Sequence, residues 1–217
     1  MGIIAITNAY GARESMDVLK VLLTIIAGYL LGSFSMSIAL SRETLGADVR
    51  EKGSGNAGAT NMARVYGWRA GFLTLGGDML KAILAMLLGW WLLGDWGVAI
   101  GGIAAITGHC FPVFYHFKGG KGISVGAAIG LAIDWRVFVT IIVVFLIVAL
   151  LTKKVSAGSL AACIAIAVSA ILFQVGLPKI ILACYAAALA IFQHRKNIDR
   201  LAAGTEPDFQ AADDKKK

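Results

Sequence analysis

Gly53-Ser54-Gly55-Asn56-Ala57-Gly58-Ala59-Thr60-Asn61 sets three glycines and four neutral hydrogen-bonding side chains within nine residues. Glycine lets a backbone approach a ligand closely, and successive N–H groups can cradle an anion. Arg50 and Lys52 stand just before it. The stretch therefore reads as a phosphate cradle, or more plainly as a flexible turn. It also matches G-x-G-x-x-G, and Asp78 falls 20 residues past Gly58. A dinucleotide site, however, needs a strand before the glycines and a βαβ unit around them. Here Asp48-Val49-Arg50-Glu51-Lys52 precedes them and Asp78 lies in an apolar run, so that reading is rejected.

A second stretch begins at Gly108-His109-Cys110-Phe111-Pro112 and ends in Lys118-Gly119-Gly120-Lys121-Gly122. It lacks the spacing and the hydroxyl residue of a Walker A loop. It can still wrap a phosphate with backbone N–H groups and an ammonium at a helix start. His109 is either a satisfied interfacial histidine or a hydrogen-bonding group for a substrate hydroxyl. Ser156, after Lys153-Lys154-Val155, has the placement of a helix N-cap. His194 and Asn197 are three apart and would share a helix face, unless they belong to a solvated basic tail. Ser33, Ser35, Ser37 and Ser41 lead to Arg42 and either pack helices or line a polar pocket. Asp78 and Lys81 sit inside an apolar run, where charges are costly and usually paired; they read as a structural ion pair or an ion path.

These groups must be positioned by membrane helices. The 217 residues are 58% apolar and 15% charged, with a mean hydropathy of +0.77. Soluble domains run at about 25% charged, so a soluble fold and extended disorder are both excluded. A spanning helix needs about 20 apolar residues. Candidate spans are 21–40, 70–93, 96–108, 123–133, 137–151, 157–175 and 180–192, the fourth being the shortest. The expectation is an all-α polytopic membrane protein of about seven transmembrane helices. Most lysines and arginines fall in loops 41–69, 109–122 and 152–156 and after residue 192. That bias puts this face in the cytoplasm with the C-terminus, and the N-terminus outside. The net charge of +7 suits this topology, attraction to anionic lipid and an anionic substrate, and no nucleic-acid role is expected. Cys110, Cys163 and Cys184 give neither a disulfide framework nor zinc spacing, and no metal or cofactor site is expected. The first apolar run lacks a cleavage site set off behind it and reads as an anchor.

The two glycine-rich stretches, the lysine–serine turn and the His194-Arg195-Lys196-Asn197 tail lie in this order on one face. Together they resemble the bacterial acyl-phosphate:glycerol-3-phosphate acyltransferases, the PlsY family, from about Gly28 to Glu206. The resemblance implies a seven-helix enzyme of the inner membrane with its active site facing the cytoplasm. It would transfer a fatty acyl group from acyl phosphate to the 1-hydroxyl of glycerol 3-phosphate, giving lysophosphatidic acid and phosphate. No cofactor is implied, and a monomer is expected. The family's first motif falls on Ser33 and Arg42, with Ser35 where proline is usual, which puts the local helix kink in doubt. Asp78 and Lys81 match its Asp-x-x-Lys-Gly, with Ala82 in place of the glycine. By this resemblance Ser33, His109, Ser156, His194 and Asn197 are the catalytic candidates. Arg42, Lys52, Gly53, Ser54, Gly55, Asn56, Thr60, Asn61, Gly119, Gly120, Lys121 and Gly122 are the substrate-binding candidates. His194 and Asp199 have the spacing of the His-x4-Asp acyltransferases, but Asp199 sits on a polar tail and the pair is set aside. The expected domain covers 17–206, with an N-terminal extension at 1–16 and a polar tail at 207–217. A transporter using Asp78 and Lys81 is the rival; it predicts an inverted repeat with polar groups at mid-membrane from both halves.

Overall fold

The computed structural model describes residues 2–212, with side chains from Asp17 onward except those of Thr44 and Leu45. Met1 and residues 213–217, the outermost parts of the expected extension and tail, lie outside the described residues. The described residues are helical with no strand: α1 (Gly2–Ser33), α2 (Met36–Leu45), α3 (Ala59–Tyr66), α4 (Trp68–Cys110), α5 (Ile123–Ile133), α6 (Trp135–Thr152), α7 (Val155–Leu172), α8 (Leu177–Gln193) and α9 (Arg195–Ala202).

Each of the seven apolar segments is mainly helical. The second and third are the two arms of α4, which folds back at Gly94 (φ 61°, ψ −141°). A Cβ added at Gly97 would lie 1.8 Å from the Gly89 carbonyl oxygen, and one at Gly101 2.5 Å from that of Ala85. The arms 68–93 and 95–110 therefore touch backbone to backbone. On the other side of the second arm, a Cβ at Gly32 of α1 would lie 2.2 Å from the Ala105 oxygen. Small residues at such seams replace the hydrophobic drive that lipid cannot supply. The apolar side chains left outside, among them Phe72, Trp91, Leu150, Leu151 and Leu172, present the surface a bilayer would wet.

Among the described residues, three helices are long and apolar enough to cross a membrane, with the folded-back α4 counted once, or up to five if each of two bent pairs counts as one span. α5 rises only about 16 Å, roughly half the hydrocarbon thickness. The expected continuous first span, 21–40, needs correction. α1 ends at Ser33, and α2 starts at Met36 after a 40° bend. The helix breaks without a proline: Ser35 adopts an extended conformation, and its hydroxyl lies 3.1 Å from that of Ser37. The bundle has two unlike ends. The α6–α7 turn, the α8–α9 junction and the long connections 46–58, 111–122 and 203–212 share one. The turns at Gly94, Asp134 and Gly176 share the other.

Candidate active site

The first glycine-rich connection is folded from within. The Asn61 side-chain amide donates to the carbonyls of Val49, Lys52 and Asn56 at 3.0–3.1 Å, and its oxygen accepts from the Ser54 N–H at 2.8 Å. Asn61 is buried and spends its polar atoms on the loop, so it shapes the cradle. Gly53 and Gly55 take positive φ values of 59° and 71°, and a Cβ at Gly53 would lie 2.3 Å from the Asn61 oxygen. Arg50 Nη2 meets Asp48 Oδ2 at 2.8 Å, and its Nη1 donates at 3.1 Å to the carbonyls of Tyr115 and Lys118. Arg50 thus ties the first glycine loop to the second. The Arg50 guanidinium, helped by Arg42 at 2.8 Å, holds the Asp48 carboxyl well below the usual carboxylate range despite its burial. Arg42 remains half exposed. Lys52 is exposed, its ammonium 5.5 Å above the Tyr66 ring. Thr60 lies in the first turn of α3, and Asn56 just before it.

The second connection is wrapped around His109. The Gly120 N–H donates to the His109 carbonyl at 3.0 Å. A Cβ at Gly119 would lie 2.1 Å from that carbonyl, and one at Gly120 2.2 Å from His109 Nε2. Only glycine permits this approach. Gly122, at φ 85°, opens α5. Ser33, fully buried, accepts from the Val113 N–H at 3.4 Å, which joins the end of α1 to the same loop. A cavity of about 420 Å³ lies between the two glycine loops, lined by Asp48, Arg50, Glu51, Gly55, His116, Lys118 and Gly119.

Lys121 links this turn to a third group. Its ammonium donates to Asn197 Oδ1 at 2.6 Å, and Asn197 Nδ2 donates to Glu206 Oε1 at 2.7 Å. Arg200 Nε donates to Glu206 Oε2 at 2.6 Å, and the Lys154 ammonium reaches the Glu206 carbonyl. Ser156 is buried, and its hydroxyl faces this carboxylate. Burial, with Arg200 and Arg64 nearby, pulls the Lys121 ammonium down to about 8. Burial pushes the Glu206 carboxyl up, but Ser156, Arg200 and Asn197 around it outweigh that and hold it low. Glu206 was not among the expected site residues. Its only signal was a lone acid in Gly204-Thr205-Glu206 at the limit of the resemblance. The His194 Nδ1 lies 2.7 Å from the Ala190 carbonyl, which can only accept, so Nδ1 carries the proton and Nε2 presents a lone pair. Asp199, the other half of the discarded spacing, is exposed on α9. Downstream, Asp208 pairs with Lys154 at 2.8 Å and Phe209 packs edge-on to Trp68.

The structure therefore gathers candidates from five separate segments at one end of the bundle. The family model for glycerol-3-phosphate acyltransferases matches residues 22–204, which include every one of them. The chain belongs to this family. It is 40% identical over 184 residues to a glycerol-3-phosphate acyltransferase of Thermoanaerobacter pseudethanolicus, covering 85% of this chain and 93% of that one. A relative of the same description from a Jannaschia species is 42% identical over 187 residues, covering 85% and 91%. Among solved structures, the fold matches the integral membrane glycerol 3-phosphate acyltransferase PlsY (YgiH) in its glycerol 3-phosphate form. The TM-score is 0.83 at 33% identity, over 88% of this chain and 96% of that one. The lysophosphatidic acid form of that enzyme matches with a TM-score of 0.81. Within the family frame, Glu206 lies just beyond the matched residues yet closes the Lys121–Asn197 chain.

Proposed function

We propose that the protein acylates the 1-hydroxyl of glycerol 3-phosphate from acyl phosphate at the loop-rich end of the bundle. The products are lysophosphatidic acid and phosphate. The observation that carries this reading is the joining of two glycine turns by Arg50, with the Lys121 ammonium entering from the second turn. That arrangement suits two phosphoryl groups held side by side. Backbone N–H groups of 53–61 and 119–122 cradle them, Arg42, Lys52 and Lys121 supply charge, and Ser33, Ser156 and Asn197 supply neutral hydrogen bonds. The glycerol oxygen attacks the acyl carbon, and the bond from that carbon to the phosphate oxygen breaks. The departing phosphate can take the hydroxyl proton itself, and His194 Nε2 offers a lone pair for the same task. Placing hydroxyl and acyl carbon about 3 Å apart supplies much of the acceleration.

The acyl chain stays in the bilayer, and residues 17–206 form one membrane domain acting as a monomer. The chain crosses the bacterial inner membrane seven times, with its C-terminus and site in the cytoplasm. The clustering of polar candidates at one end supports an enzyme over a transporter, and Asp78 and Lys81 are enclosed by Phe34 and His109 instead of opening a path. The test supplies palmitoyl phosphate and glycerol 3-phosphate to the purified protein. Stoichiometric lysophosphatidic acid and phosphate are expected. Solute flux across sealed vesicles without product would overturn the reading.

A further inference from the structure

Lys81, on the first arm of α4, is buried, and its ammonium lies 2.7 Å from Asp78 Oδ1. The contact is an ion pair, and the ammonium also reaches past it, to the Phe34 carbonyl and to His109 Nδ1, 3.1 Å away. Asp78 acts as counter-charge, and the hydrogen bonds of Lys81 go to two pieces of site architecture.

The first piece is the α1–α2 break. Phe34 and Ser35 are its two non-helical residues, and this chain has no proline there to impose it. A carbonyl in such a gap needs a donor, above all in a membrane, where water is not at hand. Lys81 supplies it from another helix. The second piece is the histidine. An ammonium only donates, so at the 3.1 Å contact Nδ1 of His109 accepts from Lys81, while Asp78 Oδ1, 3.7 Å from the same nitrogen, lies beyond hydrogen-bond reach; the ring proton then resides on Nε2. Nε2 is the atom that lies against Gly120. The two buried histidines are thus set in opposite tautomers: His109 presents a donor and His194 a lone pair.

We propose that Lys81 is a positioning residue for acyl transfer. It holds the α1–α2 break that carries Ser33 and Arg42, and it fixes His109 as an Nε2–H donor against the 119–122 turn. The proposal rests on the acyltransferase reading of this end.

Removing one partner of a buried ion pair strands the other, so Lys81→Met alone would confuse folding with positioning. Removing both charges, as in Asp78→Asn/Lys81→Met, leaves no uncompensated buried charge, the costliest consequence of breaking such a pair. The double variant is expected to melt within a few degrees of wild type while its kcat/KM falls by about 100-fold, the cost of a small misplacement of reacting groups. Wild-type turnover in the double variant would reduce the pair to packing and overturn the proposal. A second readout does not depend on turnover. In protein labelled with 15N-histidine, the His109 ring should show an unprotonated Nδ1 and a protonated Nε2. The reverse tautomer in wild type would overturn the lock, and where the double variant fails to assemble, this signature decides. If wild type shows the tautomer but makes no product from any acyl donor, the functional reading fails and the lock stands.

Discussion

At one end of the bundle, Lys179 meets Asp95 at 3.0 Å and Arg136 meets Asp134 at 2.7 Å, both pairs with at least one partner about half exposed. The turns there are a few residues long, and the Arg136 guanidinium sits over the Phe173 ring, 4.8 Å from its centroid. At the other end, charged and amide side chains are aimed at backbone: Asn61 at three carbonyls, Arg50 at two, Lys154 at that of Glu206, Lys81 at that of Phe34. Surface pairs decorate turns that would form without them. The loop-rich end has glycine backbone with little conformational preference, and side chains from distant elements determine its shape. An end built in this way should be sensitive to single atoms, and the turn end should tolerate change.

Lys121→Ala should be the most damaging single change at the loop-rich end. It removes the ammonium and breaks the Lys121–Asn197 bond at 2.6 Å. Loss of one preorganised charge stabiliser costs about 10²–10³ in turnover, and loss of binding adds to it. Release of phosphate from palmitoyl phosphate at saturating glycerol 3-phosphate measures it; a loss below tenfold would remove Lys121 from the site. Gly120→Ala comes next. Its methyl would meet His109 Nε2 at 2.2 Å and the Ala57 carbonyl at 2.9 Å, and His109 is itself held by Lys81. With no neighbour free to yield, the turn must shift, and a displacement near 1 Å costs about 10²-fold. Gly126→Ala in α5, where nothing lies within 4 Å, is the control and should leave kcat/KM unchanged.

The same contrast explains what the sequence made legible. Spans, their order and the hairpin near Gly94 follow from hydropathy, because lipid forces every backbone group into a helix. The short turns were readable for that reason. The α1–α2 break was not, since the local signal for it, a proline, is absent and Lys81, the residue that satisfies it, lies 47 positions away. Asn61 and Arg50 were legible as polar residues near glycines. Which would face a ligand and which would build the loop depended on carbonyls that only folding brings together. Glu206 fell outside the expected set because a lone acid in a polar tail carries no pattern until Asn197 and Arg200 are folded against it.

Asn61→Ala tests the loop-building role. Four hydrogen bonds to backbone would go, about 1–3 kcal/mol of unmet polar groups. The expected result is a roughly tenfold rise in KM for glycerol 3-phosphate with a smaller change in kcat. An equal loss in both would instead mark Asn61 as a group acting in the transition state. A milder perturbation is pH. Lys121 is lowered to about 8, so its charge is lost as pH rises through that value. Since kcat/KM reports the free enzyme, it should be roughly fourfold below its plateau at pH 8.5. Lys121→Arg should lift that alkaline limb, because guanidinium stays charged.

Lys179→Ala carries the comparison to its quiet side. The ammonium it removes lies 3.0 Å from an Asp95 carboxylate that is 54% exposed. Exposed pairs of this kind contribute about 0–1 kcal/mol, and the partner left behind is already solvated. Pro178, in the first turn of α8, fixes the helix start regardless of the neighbouring side chain. The melting temperature in detergent should therefore move by less than about 4 °C, and kcat/KM should match wild type. A large loss of activity from this one substitution would mean that the two ends are coupled through α8. The ion pair would then help to set the position of His194, 15 residues on at the C-terminal cap of the same helix, and the division between a shaped end and a tolerant one would fail.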